Sequence, residues 1–213
     1  MPAAFDPLQD LHSIGRMEVV TRYWDKKHGC GAAKLKPGDF YVTQSDEIIT
    51  TVLGSCIAVC MRDSSCGVAG MNHFMLPLST NGQWGGATDP SSAATRFGNF
   101  AMEHLINALL KLGAKKTQLE VKVFGGGQMM AALTGVGESN IHFVHHYLKT
   151  EGMPIKREDV GGSNPRKIIY FPKNGRVLLK RLKSLHNNTL IERERAYQDE
   201  ILSSPIKSEM ELF

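Results

Sequence analysis

A cysteine inside a β-branched, apolar segment is the strongest candidate for covalent chemistry in this chain. Cys56 follows Gly54 and Ser55 within the segment 46–63, DEIITTVLGSCIAVCMRD. A glycine inside a strand allows the backbone to bend and a substrate to approach closely. A thiol at such a bend can attack a carbonyl carbon while neighbouring backbone N–H groups stabilise the oxyanion. A free cysteine in an apolar strand is also a common packing residue, so this segment alone does not establish a nucleophile.

A histidine on the next predicted strand supplies a partner for proton transfer. The segment 67–77, GVAGMNHFMLP, contains His73 and follows the short turn DSSCG, which predicts a hairpin. Neighbouring positions of a hairpin lie about 5 Å apart, so His73 can reach Cys56. Two threonines, Thr50 and Thr51, precede the cysteine on the first strand, and either hydroxyl could hold the second ring nitrogen of the histidine. The residues do not choose between these threonines.

The other cysteines have weaker cases. Cys60 lies four positions after Cys56, about 13 Å away along a regular strand, which excludes a disulfide between them and favours a packing role. Cys66 falls in the predicted turn. Cys30 lies close to His28 and is a competing pair, but no rigid element is predicted to hold it. The spacing C-x3-C-x5-C has no second cluster, so a structural zinc site is not predicted.

The elements around these residues predict an α+β fold. A helical period runs from Ser91 or Ser92 to Gly113, and a second helix from Ser139 or Asn140 to Thr150. Further predicted strands are 118–124, 154–160 and 167–171, the last returning as a hairpin through 172–175. We expect a layered sandwich of mixed β-sheet, as one sheet or two packed sheets, covered by two principal helices.

The predicted domain occupies the middle of the chain. Residues 1–35 are expected to be an irregular extension, and residues 36–186 the folded domain. The tail, 187–213, is predicted to form one amphipathic helix and then to fray. The Gly-rich stretch 125–127 does not match a phosphate-binding pattern, because it lacks the spacing of either glycine motif.

Composition favours a soluble cytoplasmic protein. The chain has 213 residues, is 42% hydrophobic and carries a net charge of +4. It has no basic head followed by an apolar stretch, as a secretory signal requires, and no run of about 18 apolar residues. The densest basic stretch, 173–183, alternates with leucines and is interpreted as a solvated strand edge. We therefore predict no nucleic-acid binding and no membrane insertion.

Six segments, taken together, resemble a known family. They are TTVLGSCIAVCMRD, GVAGMNHFMLP, RFGNFAMEHLINALLKLGA, VKVFGGGQMM, GVGESNI and DVGGSNPRKIIYF, in that order. The chain resembles the CheD family of chemoreceptor glutamine deamidases over roughly residues 36–183. The resemblance implies a layered α/β fold and a cysteine hydrolase, a protein-glutamine glutaminase. Such an enzyme converts glutamine side chains of methyl-accepting chemoreceptors to glutamate and needs no metal or organic cofactor.

The resemblance also implies roles for particular residues. It assigns the nucleophile to Cys56, the histidine to His73 and the supporting threonine to Thr50 rather than Thr51. In the mechanism it implies, backbone N–H groups at Ser55 and in the turn around Gly126 stabilise the oxyanion.

The implied partners are the cytoplasmic domains of chemoreceptors and, as in some family members, a CheC-type phosphatase. A thiolate that attacks amides can also attack receptor methyl esters. The alternative function is a non-catalytic adaptor that binds a chemotaxis phosphatase or a receptor.

Overall fold

Two five-stranded sheets, three α-helices and one short 3-10 helix make up the regular structure of the described part of the chain. A computed structural model describes residues 20–77, 93–128, 135–182 and 187–203. The strands are β1 Thr21–Asp25, β2 Cys30–Lys34, β3 Phe40–Thr43, β4 Glu47–Leu53, β5 Ile57–Asp63, β6 Val68–Asn72, β7 Leu119–Gly125, β8 Ile155–Val160, β9 Arg166–Phe171 and β10 Arg176–Arg181. The helices are α1 Ala93–Lys111, α2 Val136–Thr150 and α3 Asn187–Ser203.

Both sheets are mixed. The first has the strand order β1-β2-β4-β9-β10 and the second β3-β6-β5-β7-β8. Within them, β2–β4 and β7–β8 are parallel pairs and the remaining pairs are antiparallel. The predicted hairpins β5–β6 and β9–β10 are present. The α+β prediction of a layered sandwich is therefore confirmed, in the form of two packed sheets.

Two hydrophobic clusters separate the layers. The first lies between the sheets and includes Ile49, Leu53, Cys60, Met71, Ile168 and Tyr170. The second lies between the other face of the second sheet and helices α1 and α2, and includes Val59, Met61, Val121, Met102, Leu105 and Phe143. Burying one such side chain contributes about 1.5–3 kcal/mol. The two principal helices thus cover one face of the sandwich, as predicted.

The long strand predicted over 46–63 is divided between the two sheets. Strand β4 belongs to the first sheet and β5 to the second, and Gly54–Cys56 joins them. A glycine suits this crossing because any side chain there would meet a neighbouring carboxylate: a Cβ on Gly54 would lie 2.6 Å from Glu194 Oε1. The crossing carries Cys56 to the junction of the two layers.

The N-terminal region departs from the prediction. Residues 21–34 form the β1–β2 hairpin, and β2 continues the first sheet by pairing in parallel with β4. The expectation of an irregular extension is therefore wrong for these residues, whereas residues 1–19 lie outside the described part. Strand β2 reads CGAAK and contains few β-formers, so its conformation is set by pairing rather than by propensity.

The C-terminal tail contributes one helix. Leu190, Glu194 and Gln198 are buried and recur every four residues along α3, so one face of that helix packs on the sandwich. Residues 204–213 lie outside the described part. Among the described helices, none is both long and apolar enough to cross a membrane.

Candidate active site

The register of the β5–β6 hairpin brings Cys56 and His73 to one face of the second sheet. Ile57 and Phe74 exchange both backbone hydrogen bonds, at 2.8 and 2.9 Å, as an isolated antiparallel bridge. Continuing this register places Met75 opposite Cys56 and leaves His73 diagonal to it. Diagonal positions on one face are about 7–8 Å apart, within reach of long side chains. Both residues are buried; Cys56 belongs to the cluster between the sheets, and the His73 ring contacts Thr51 of β4 in the first sheet.

A hydrogen-bond chain fixes the orientation of the His73 ring. The Thr51 hydroxyl donates to the carbonyl of Leu35 at 2.9 Å and lies 2.8 Å from His73 Nδ1. Because a hydroxyl has one hydrogen, which here is assigned to the Leu35 contact, we assign the ring proton to Nδ1, which then donates to the threonine oxygen. Nε2 is buried with no hydrogen-bond partner among the residues that the structure describes. The ring thus presents an unshared lone pair, as a general base requires.

The backbone and the charge state of His73 are equally constrained. The N–H of Gly38 donates to the His73 carbonyl at 2.7 Å, and the His73 N–H donates to the Asp39 carbonyl at 2.9 Å. Burial, reinforced by the charge of Arg193, lowers the pKa of His73 to about 3. The imidazole is therefore neutral at physiological pH and able to accept a proton.

The threonine beside the histidine in this structure is Thr51, not Thr50. The Thr50 hydroxyl donates to the Ile168 carbonyl at 2.8 Å, on the far side from the histidine. Side chains alternate along a strand, and Thr51 shares the face of β4 that holds Ile49 and Leu53 against the second sheet. The residues left both threonines open, and the assignment implied by the resemblance is contradicted by this geometry.

Two backbone N–H groups before Cys56 converge on one carboxylate. The N–H of Gly54 donates to Glu194 Oε1 at 2.9 Å, and that of Ser55 donates to Glu194 Oε2 at 3.1 Å. The oxyanion role of Ser55 stays a prediction, and Gly54, for which the sequence suggested only a bend, directs its N–H at the same carboxylate. Burial raises the pKa of the Cys56 thiol, and the charge of Glu194 raises it further, so the thiol is protonated here.

Gly126 does not supply the second donor. Its N–H donates to the Cys56 carbonyl at 2.8 Å, and the N–H of Gly127 donates to the Gly54 carbonyl at 2.7 Å. Gly126 has φ of +67°, and a Cβ there would lie 3.0 Å from the Gly137 carbonyl oxygen and closer still to Ile141. Because the N–H of Gly126 is engaged by a backbone carbonyl of the same layer, Gly126 supports the cysteine segment in this structure rather than offering a donor to a substrate. The glycine turn acts as a brace behind the nucleophile.

Asn140 of α2 is a positioning residue that the sequence did not reveal. It is fully buried, its Nδ2 donates to the Ser55 carbonyl at 2.8 Å, and its Oδ1 accepts from the Leu76 N–H at 2.8 Å. One side chain thus ties the cysteine segment to the segment that follows His73. The sequence suggested Asn140 only as a helix start, whereas α2 begins at Val136.

The remaining cysteines do not form a second site in the described part of the chain. Cys60 is buried in the core, where desolvation raises its pKa, and Cys66 is exposed. His28 Nδ1 lies 3.0 Å from Asp25 rather than pairing with Cys30. Over the described ranges, no group of three or more His, Cys, Asp or Glu side chains is arranged to hold a metal ion.

A separate cavity lies beside the β8–β9 loop. It has a volume of about 360 Å³ and is lined by Glu158, Asp159, Val160, Gly161, Gly162, Ser163, Asn164, Arg166 and Arg181. Neither Cys56 nor His73 contributes to it. The loop itself braces the glycine turn, because the Gly162 carbonyl accepts from the Gln128 N–H at 2.8 Å. This cavity is therefore distinct from the junction between the sheets where Cys56 and His73 lie.

Comparisons with known proteins identify the family of this chain. The family described as CheD chemotactic sensory transduction matches residues 75–181. A probable chemoreceptor glutamine deamidase CheD of Hahella chejuensis is 49% identical over 94% of this chain and 94% of its own length. The corresponding protein of Halorhodospira halophila is 48% identical over 91% and 90%, respectively. The CheD 1 protein of Dechloromonas aromatica is 45% identical over 95% and 98%. On these matches, the chain belongs to the CheD family.

Proposed function

We propose that this protein hydrolyses glutamine side chains of chemoreceptors to glutamate and releases ammonia, as a protein-glutamine glutaminase. The observation that carries the proposal is the pairing, on one face, of Cys56 with a His73 whose Nε2 lone pair is unshared among the described residues. This geometry suits nucleophilic attack by a thiol. The substrate class follows from relatives such as the 49% identical protein of Hahella chejuensis, which is named a probable chemoreceptor glutamine deamidase.

The proposed reaction uses groups already in place. Nε2 of His73 takes the thiol proton of Cys56, and the thiolate attacks the amide carbon of the substrate. The N–H groups of Gly54 and Ser55 stabilise the oxyanion. His73 returns the proton to the departing ammonia and then activates water, which hydrolyses the thioester and regenerates the thiol.

Thr51 holds the ring tautomer that this sequence of transfers requires. With Nδ1–H directed at the threonine oxygen, the lone pair of His73 is confined to Nε2. The Leu35 carbonyl completes the chain by accepting from the threonine hydroxyl. We assign Thr51 as the positioning residue and give Thr50 no part in the reaction.

The proposed setting is the cytoplasm, where the protein would meet the signalling domains of chemoreceptors. A CheC-type phosphatase is a proposed partner by analogy with other family members. The same thiolate chemistry would also cleave methyl esters of receptor glutamates, since an ester is a better acyl donor than an amide.

The test compares two buried cysteines of the same strand region. Purified protein is incubated with a receptor cytoplasmic fragment, and conversion of each glutamine is read by peptide mass spectrometry. Cys56→Ala is expected to abolish conversion. Cys60→Ala removes an equally buried thiol and is expected to retain it. Conversion that persists in Cys56→Ala would contradict the mechanism, and receptor binding without any conversion would favour an adaptor.

A further inference from the structure

Helix α3 reaches the active site from far along the chain. Glu194 is 1% exposed, and its carboxylate contacts the segment that precedes the nucleophile. In addition to the two backbone N–H groups of Gly54 and Ser55, the Ser55 hydroxyl donates to Oε2 at 2.6 Å. The charge of this carboxylate also raises the pKa of the Cys56 thiol, beyond the larger effect of burial. A charged side chain of the tail is therefore buried against the reactive groups.

Neighbouring residues of helix α3 are buried together with Glu194. Leu190 and Gln198 are 5% exposed, so that the buried face extends one turn on either side of Glu194. Tyr197 packs on the turn that holds the His73 carbonyl, where a Cβ on Gly38 would lie 2.9 Å from the tyrosine hydroxyl. Helix α3 thus covers both sides of the site, at the nucleophile and at the base.

The chemistry of this contact matches the proposed reaction. Deamidation of glutamine yields a glutamate side chain, and Glu194 places such a side chain on the two N–H groups assigned to the oxyanion. A carboxylate accepting backbone N–H bonds resembles the charge that develops on the substrate oxygen. Helix α3 therefore holds a glutamate in the position expected of the product.

The contact is unsuited to activating the nucleophile. Glu194 accepts hydrogen bonds from the two backbone N–H groups and the Ser55 hydroxyl. The His73 ring is engaged elsewhere: Nδ1 lies at hydrogen-bonding distance from Thr51, and Nε2 has no hydrogen-bond partner among the described residues. Burial and the Glu194 charge raise the pKa of Cys56, and burial and Arg193 lower that of His73. Under α3 both groups stay neutral, and substrate has no access, since Cys56 is 0% and His73 2% exposed.

Resting on the proposed deamidase function, we propose that α3 is an internal inhibitor, with Glu194 in the place of the product glutamate, and that substrate enters when α3 leaves. The described structure is then the closed form of the enzyme. Displacement of the helix uncovers the thiol, the lone pair of His73 and the two N–H donors together.

The first test measures access to the thiol in the full-length chain. Glu194→Ala is expected to speed labelling of Cys56 by iodoacetamide by about tenfold or more, the factor expected for loss of one charge-assisted hydrogen bond. Glu192→Ala, which changes an exposed glutamate of the same helix, is the matched control and should label like the wild type. Cys60 reports on global unfolding, because it is buried in the core and makes no hydrogen bond to Glu194, and it should stay unlabelled in both variants.

The second test turns the inhibitor into a substrate. In Glu194→Gln, the thiolate is expected to attack the amide carbon of the introduced side chain, the C–N bond breaks, and His73 protonates the leaving ammonia. Water then hydrolyses the thioester and leaves glutamate at position 194. Peptide mass spectrometry detects this conversion without any receptor. It should be absent in Glu194→Gln combined with Cys56→Ala, and absent from Glu192→Gln.

The outcomes separate this proposal from the proposed function. Self-conversion of the Glu194→Gln variant with no receptor turnover would support the seating of α3 while overturning the receptor substrate. Receptor glutamines converted at equal rates by wild type and Glu194→Ala, with equal Cys56 labelling, would overturn the internal inhibitor and leave the deamidase intact. A Glu194→Gln variant that turns over receptor while its own introduced amide stays unconverted would overturn the product-mimic position of Glu194.

Discussion

The two adjacent threonines of β4 offer a test of what orients the catalytic base. Each hydroxyl is buried and donates to a backbone carbonyl, Thr50 to Ile168 at 2.8 Å and Thr51 to Leu35 at 2.9 Å. Of the two, Thr51 also lies at hydrogen-bonding distance, 2.8 Å, from His73 Nδ1. Replacing either by valine keeps the branched shape and removes the hydroxyl. The two variants therefore differ in one contact, the one with the histidine.

The expected magnitudes follow from that difference. Each variant leaves one carbonyl without its hydroxyl donor, so both should lower the free energy of unfolding by about 1 kcal/mol. Thr51→Val additionally leaves the buried Nδ1–H of His73 without its threonine acceptor, which costs about 1–3 kcal/mol. The ring proton is then no longer held at Nδ1. If that cost is felt in the transition state, kcat falls by about 5- to 150-fold. Thr50→Val should keep kcat within about twofold of the wild type, since its hydroxyl is bonded away from the base.

The assay measures receptor glutamine conversion at saturating substrate, with urea denaturation of each variant run in parallel. Thr51→Ser, which keeps the hydroxyl, should recover most of the lost kcat. A larger loss of kcat in Thr50→Val than in Thr51→Val, at equal stability, would refute the assignment and restore the threonine that the family resemblance implied.

Three further predictions concern the scaffold of the site. Asn140→Ala leaves the Ser55 carbonyl and the Leu76 N–H unpaired and should lower the free energy of unfolding by about 2–6 kcal/mol. Urea denaturation measures this loss against His142→Ala, a change on the exposed side of α2. Equal losses in the two variants would contradict the positioning role of Asn140. His73 is neutral in the folded protein, because its pKa is lowered from 6.5 to about 3. The free energy of unfolding, measured by urea denaturation, should therefore fall as the pH drops below 6.5, by up to about 1.4 kcal/mol per pH unit. His73→Asn should reduce this pH dependence, and an unchanged slope in that variant would argue against a buried neutral ring. Gly126 and Gly29 both have a positive φ, but of these two positions only Gly126 would bring an added Cβ against Ile141. Gly126→Ala should therefore lower the thermal unfolding temperature more than Gly29→Ala. Similar losses in the two variants would show that the contact with Ile141 is unimportant.

The sequence determined the local elements that carry the chemistry. Apolar, β-branched strands separated by DSSCG specify the β5–β6 hairpin, because turn chemistry and side-chain alternation are local properties. That hairpin brings Cys56 and His73 onto neighbouring strands, and the register that places them on one face comes from the structure. Helix α1 could also be predicted from the sequence, since its apolar positions recur on one face. The order of the motifs then indicated the family.

Contacts between segments that are distant in the sequence could not be predicted in this way. The strand over 46–63 is continuous in sequence, yet Gly54–Cys56 crosses from one sheet to the other. Nothing local marks this crossing apart from the glycine. Strand β2 was likewise not predicted, because it contains few β-forming residues and its conformation depends on pairing with β4.

The tertiary structure alone decided which groups meet His73 and Cys56. Thr50 and Thr51 are equivalent by type and nearly so by position, and the facing of β4 toward the second sheet selects Thr51. Asn140 and Glu194 lie 84 and 138 positions beyond Cys56 in the sequence, and their contacts arise from the packing of α2 and α3. Hydrogen bonds between distant segments leave no periodic trace in a sequence, whereas the residue types that perform the chemistry do.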